Sequence, residues 1–189
     1  QESTSGTMWD VEGNAYRTSL IGTQSWMAEN LSVSHYANGD SIPHVQDGEQ
    51  WASLTGGAWC YYDNDPENGE RYGKLYNWYA VNDPRRLAPD GWHVPTEEEW
   101  IELETTMGMT AAVGDTQGWF GTTQGTQLKS TSGWDEYGSG TDRVGFTALP
   151  AGIRSFDGGA FYLMGRGASF WSSSDYGWDL VWYRALDAN

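Results

Sequence analysis

Apolar residues fall at helical spacing in one part of this chain and at strand spacing in others. From Gly73 onward, Leu75, Trp78, Tyr79 and Asn82 recur three and four residues apart, which predicts an amphipathic helix over 73–82. Asp83-Pro84 ends it, because proline disfavours helical backbone at the residue before it. Pro89-Asp90-Gly91 predicts a turn, with φ fixed at the proline and a glycine that tolerates positive φ. Trp92-His93-Val94 reads as a short strand-like run. A second helix is predicted over 96–107. Thr96 and Glu99 form a capping box, Pro95 favours a sharp entry, and Glu97, Glu98 and Glu99 sit at the positive end of the helix dipole. Trp100, Leu103, Glu104 and Met107 mark its faces, and Gly108 is a fitting stop.

Residues 8–33 read as strands, with a turn at Asp10–Asn14 and an alternating hairpin partner over 15–22. A polar surface loop is expected over 35–50, a helical turn over 51–54 and a short aromatic strand over 59–62. Residues 108–144 are rich in Gly, Thr and Ser but interrupted by Trp119, Phe120, Leu128, Trp134 and Tyr137, so a long loop with its own aromatic anchors is expected. Strands follow at 145–149, 160–164, 169–173 and 178–186. Helices in the first half and hairpins in the second predict an α+β domain, two helices packed on short antiparallel sheets with long loops.

Several stretches carry a resemblance. GKLYNWYAV with APDGWHVPTEEEW, DVEGNAYRTSLIGTQSWMAENL (10–31), WCYYDNDPENGERYG (59–73) and GFTALPAGIRSFDGGAFY with ASFWSSS (145–174) occur in order over nearly the whole chain. Together they resemble the Fibrobacter succinogenes major paralogous domain, a family of secreted bacterial proteins. That family is similar to C-type-lectin-like and formylglycine-generating-enzyme-like domains, so the resemblance implies a C-type-lectin-like topology and an extracellular or cell-surface location. It also implies two departures. Ala88 stands where the family often has a cysteine, and the family's usual final strand, ending in a Val-Arg-Cys-like sequence, is not met before Asn189.

At 189 residues the simplest organisation is one domain over 8–189, with residues 1–7 as a polar N-terminal tether lacking a signal peptide. A formal charge of −16 argues against nucleic acid or anionic membrane as partner, since both need clustered Lys and Arg. No apolar run approaches the roughly 20 residues that cross a bilayer. Cys60 is the only cysteine, so no internal disulfide forms, and between aromatics it reads as a buried small hydrophobe.

Candidate chemistry is sparse. Asp63, Asp65 and Glu67 in DNDPENG place oxygen ligands on a turn before a glycine, and calcium takes six to eight such oxygens. The alternative is an acidic surface turn. His35, His44 and His93 show no metal spacing, and no signature pairs Ser172, Ser173 or Ser174 with a base. The aromatic excess, 12 Trp and 11 Tyr, is more informative. Trp26, Trp59, Trp78, Trp92, Trp100 and Trp171 lie among apolar residues and are assigned to the core. Trp119, Trp134, Tyr137, Tyr176 and Trp178 lie in polar, Gly-rich sequence, where ring faces can meet a sugar. The sequence therefore reads as a non-catalytic recognition domain for carbohydrate. The alternative is an adhesive component of a bacterial surface assembly, partnered by another surface protein.

Overall fold

The computed structural model describes residues 5–110, 118–119, 121–135, 137–177 and 180–189, and the backbone alone for 175–177 and 180. Its first layer is an antiparallel sheet in the order β1 (Ser5–Trp9), β2 (Ala15–Ile21), β3 (Gln24–Met27). The Asp10–Asn14 turn forms as the sequence predicts. The Asp10 carboxylate accepts hydrogen bonds from the Glu12 and Asn14 amides, from Asn14 Nδ2 and from the Tyr16 hydroxyl. Pairing begins earlier than expected: residues 5–7, assigned to the tether, lie opposite Arg17, Thr18 and Ser19.

The middle of the chain is more broken than its periodicity suggests. In place of one helix over 73–82, Gly73 turns the backbone at φ 74°, β5 (Leu75–Tyr76) pairs with β4 (Trp59–Cys60), and only then does α3 (Trp78–Val81) form. Asn77 is the reason for the late start. Its Oδ1 accepts the Ala80 amide as an N-cap and the Ala58 amide across the ladder, fixing extended backbone just before the helix. Two further helices form: α1 (Gly48–Ala52) starts in the expected loop and runs into the helical turn expected over 51–54, and α2 (Pro66–Tyr72) occupies the acidic turn. In α2 the signal is Asp65-Pro66, an N-cap followed by proline at the first helical position. The second predicted helix is present as α4 (Glu97–Thr106), with both arms of the Thr96/Glu99 capping box formed. The segment 92–94 before it is irregular rather than a strand.

In the second half, α5 (Gln124–Leu128) precedes a four-stranded sheet in the order β7 (Phe161–Met164), β6 (Ala151–Arg154), β8 (Gly167–Gly177), β9 (Leu180–Asp187). Its pairs are antiparallel except β6–β8, which meet in parallel at Gly152 and Ala168. The strand expected at 145–149 is reduced to one bridge, Ala148 with Lys129. Thr147 takes φ 56°, and the Asp142 carboxylate holds both its amide and its hydroxyl, so an extended run cannot form there. The architecture is α+β, with small, mostly antiparallel sheets and short helices.

The helix α4 lies against β8. The Ser173 amide donates to the Pro95 carbonyl, the Glu97 amide to Ser174 Oγ, and Trp100 Nε1 to the Trp171 carbonyl. Trp100 is 3% exposed and packs with Trp26, Phe146 and Phe170. Trp78, expected to be as inaccessible, is only half-buried, because the one-turn α3 leaves it at the edge of its cluster against Trp171. Cys60 is fully buried beside Val45, Trp51 and Ala58, and burial pushes its thiol up.

Charge is also buried here. Arg184 of β9 donates Nε to Glu104 at 2.6 Å, and Nη1 and Nη2 to Glu97 at 3.0 and 2.6 Å. All three residues are buried. Burial pushes Glu104 above the usual carboxylate value, and the Glu97 charge adds to this against the pull of Arg184. A carboxyl raised on folding contributes stability below its ordinary pKa and loses it as pH rises through the raised value.

Two outcomes are expected. Arg184→Met should cost about 3–5 kcal/mol in urea denaturation at neutral pH, since it strands two buried acids, whereas Glu104→Gln, which keeps an acceptor for Nε, should cost far less. The Cys60 thiol should resist thiol reagents in native protein and label only on denaturation, so rapid native labelling would contradict its burial.

Candidate functional site

The aromatics predicted to form a ligand surface differ in exposure. Trp119 is 75% exposed and Tyr137 100% exposed. Trp134 is 6% exposed: its indole N–H donates to Ser130 Oγ and the Ala148 carbonyl, both at 3.1 Å. A buried indole needs such a partner, and finding one folds this ring inward as an anchor of its own loop. The assignment of Trp134 to a ligand surface is therefore corrected. The Tyr176 side chain and Trp178 lie outside the described residues.

Of the residues assigned to calcium, Asp65 has a second task. The Asp65 carboxylate accepts the Glu67 amide and caps α2, while Asp63, at φ 52°, and Glu67 are exposed on its approach and first turn. Among the described residues, no group of three or more Asp, Glu, His or Cys side chains is gathered to hold a metal ion.

A cleft of about 590 Å³ has walls that include Trp26, Tyr76, Trp92, Trp100, Phe170 and Trp171. Trp26 and Trp100 form its floor, being buried, while Tyr76, Trp92 and Trp171 are half-buried. Their indoles differ in one respect. Trp26, Trp100 and Trp171 donate to Gln24 Oε1, the Trp171 carbonyl and the Tyr76 carbonyl. The Trp92 N–H has no hydrogen-bond partner among the described residues. On the same wall, His93 Nε2 meets the Glu99 carboxylate at 2.7 and 2.9 Å. Burial raises Glu99, but the Thr96 amide and His93 outweigh it, so this carboxylate lies below its usual value.

Lys74 and Arg154 also contribute to the lining, although most partners of their charged ends lie outside it. Lys74 Nζ donates to the Ser32 carbonyl and Ser34 Oγ, both at 2.6 Å, and lies 4.2 Å from the centroid of the Trp59 ring. Burial pulls its ammonium below the usual lysine value, against the Glu12 and Asp10 charges. Trp59 is fixed by its bond to the Ile42 carbonyl, and the His44 imidazole stacks on it at 3.9 Å with planes 2° apart. Arg154 donates to the carbonyls of Gly159, Val45 and Gln46 and lies over the rings of Trp51 and Phe161.

The family model described as the Fibrobacter succinogenes major domain matches residues 20–188. The chain belongs to this family. No curated protein and no solved structure matches the chain. Every cleft residue named above lies inside the span matched by the Fibrobacter succinogenes major domain, whereas β1 and most of β2 lie before it. Two residues of the site were misread or passed over in sequence. Trp92 was assigned to the core from its apolar neighbours. Its signal was the Pro-Asp-Gly turn before it and the Thr96 cap after it, which leave too few residues for a strand. Lys74 carried a different signal, as one of two lysines in a chain with 26 acids.

Burial first, and then the charges of Lys74 and Arg154, hold the His44 ring below its ordinary pKa. A base depressed on folding contributes stability above its unfolded value and loses it as pH falls through that value, near 6.5, towards the folded one. Urea midpoints should accordingly decline from pH 7.5 to about 5, and His44→Phe, which keeps a ring on Trp59, should remove part of that decline.

Proposed function

We propose that this chain is a non-catalytic, extracytoplasmic recognition domain of C-type-lectin-like topology that binds carbohydrate in the aromatic-walled cleft. The observation carrying this reading is Trp92: a half-buried ring on the cleft wall whose indole N–H has no partner among the described residues. Ring faces cover the apolar face of a sugar, and an unused indole N–H can bond a hydroxyl. The cleft has the composition of a small-ligand site, mostly apolar walls with a few polar groups. Trp119 and Tyr137 stand apart as exposed rings and suit a secondary contact along a longer chain.

A structural or adhesive role is the second reading. It is favoured by exposed apolar residues at the β6–β7 hairpin, where Phe156 is 86% exposed and Tyr162 and Leu163 lie on an edge strand.

A glycan array run with and without calcium separates the two readings. Against the best ligand found, Trp92→Ala should weaken binding about tenfold while the melting temperature moves by only a few degrees. Trp134→Ala should do the opposite, costing about 3–5 kcal/mol of stability because it empties a buried site. A blank array, together with wild-type self-association that Phe156→Ser abolishes, would favour the adhesive reading.

A further inference from the structure

The first sheet presents an unused edge to the cleft. The Ala28 amide donates to the Arg17 carbonyl, and the β2–β3 register runs on without a shift to Ile21 opposite Gln24. Hydrogen-bonded pairs alternate along an antiparallel ladder, so they fall at Arg17–Ala28, Ser19–Trp26 and Ile21–Gln24. The amides and carbonyls of Ser25 and Met27 therefore point away from β2, and β3 is the last strand of its sheet. Among the described residues neither Ser25 nor Met27 has another hydrogen-bond partner. Both line the cleft, Ser25 exposed and Met27 half-buried.

Other edges differ. The outward Tyr76 carbonyl of β5 accepts the Trp171 indole, and the outward Asp187 carbonyl of β9 accepts Lys129 Nζ. The outer edge of β1 does not line the cleft. Soluble proteins commonly blunt an open edge with charge, proline or a bulge, and β3, Gln-Ser-Trp-Met, has none of these.

The edge itself indicates its complement. An N–H and a C=O repeated on alternate residues, about 6.8 Å apart, match an extended peptide backbone, which carries the same groups at the same interval. Charge then selects among peptides. Thr23, just before β3, donates its hydroxyl to the exposed carboxylate of Glu102, which has no basic partner among the described residues. Arg17, the base opposite Ala28, is already paired with Glu29. With a chain charge of −16, this favours a strand that bears Lys or Arg.

We infer that the outer edge of β3 takes an extended, Lys- or Arg-bearing segment of a partner protein as a fourth strand, with Ser25 and Met27 supplying the backbone bonds. This does not rest on the carbohydrate reading. It gives the cleft a second class of ligand, held by main chain rather than by rings.

The test titrates the whole chain with octapeptides in which Val and Thr alternate between terminal Lys, Arg or Glu residues. Lys- or Arg-ended peptides should bind about tenfold tighter than Glu-ended ones at low salt, and the difference should shrink as salt is added. N-methylation of alternate amides should weaken the best peptide about tenfold along one edge and leave binding unchanged along the other. Ser25→Pro removes an outward amide and no ladder bond, so it should also weaken binding about tenfold, while Ser25→Ala retains it. Should Ser25→Pro fail to fold, hydrogen exchange of the wild type decides: bound peptide must slow exchange at the Ser25 and Met27 amides. No binding by any peptide, equal effects of methylating either edge, or unchanged exchange at those two amides overturns the inference and leaves carbohydrate recognition standing. A glycan that slows exchange at Ser25 and Met27 where no peptide does also overturns it, since the edge would then belong to the sugar.

Discussion

The guanidinium of Arg184 and the two acids of α4 are the constraint on which the layered core depends. Glu97 and Glu104 stand on one side of the helix, one near each end, and no third residue could satisfy both without lying across it. Arg184 does so from β9, which fixes that strand and, through its ladder with β8, the strand that carries Ser172 to Ser174. Burying two carboxylates with one guanidinium is poor as a source of stability, because desolvation consumes most of the attraction. Its value lies in position. An apolar contact would tolerate a sliding helix, whereas forked hydrogen bonds to two acids tolerate one register.

How far the sequence could be read follows from where each element's determinants lie. The capping box of Thr96 and Glu99 is local, so α4 was legible to within a residue, and so was the Asp10–Asn14 turn with its self-contained hydrogen bonds. The 73–82 stretch misled because its spacing matched a helix while Leu75 and Tyr76 were committed to a partner at Trp59 and Cys60, about sixteen residues away. Periodicity cannot register that competition. The candidate site was least legible. Trp134 and Trp119 sit in similar Gly-rich sequence, yet one finds an indole partner at Ala148 and the other faces solvent. That difference is made by residues distant in sequence. At 59–73 the acidic letters dominated the reading, although Asp65-Pro66 was a helix start in plain view.

Several aromatic rings in this molecule support charge as well as fill the core. Trp59 carries Lys74, Trp51 and Phe161 carry Arg154, Tyr36 carries Arg85 and Trp134 carries Lys129. The rings do not replace carboxylates throughout: Arg85 lies on Tyr36 and also pairs with Asp83 and Asp40, whereas Arg154 is held by rings and carbonyls.

The three carbonyl contacts of Arg154 also bear on how the chain reaches its native state. Two of them join β6 to the Val45–Gln46 loop across 109 and 108 residues, and Trp171 reaches Tyr76 across 95. Contacts of such separation must wait for long loops to close, which places the domain among slow folders, in the range of about milliseconds to seconds. During synthesis the segment up to α3 emerges before Arg154 does; within it the Gln46 carbonyl has a nearer donor in Asn64 Nδ2, at 3.1 Å. The cleft takes its walls from 23–100 and from 146–171, so both halves of the chain must be present before those walls can meet.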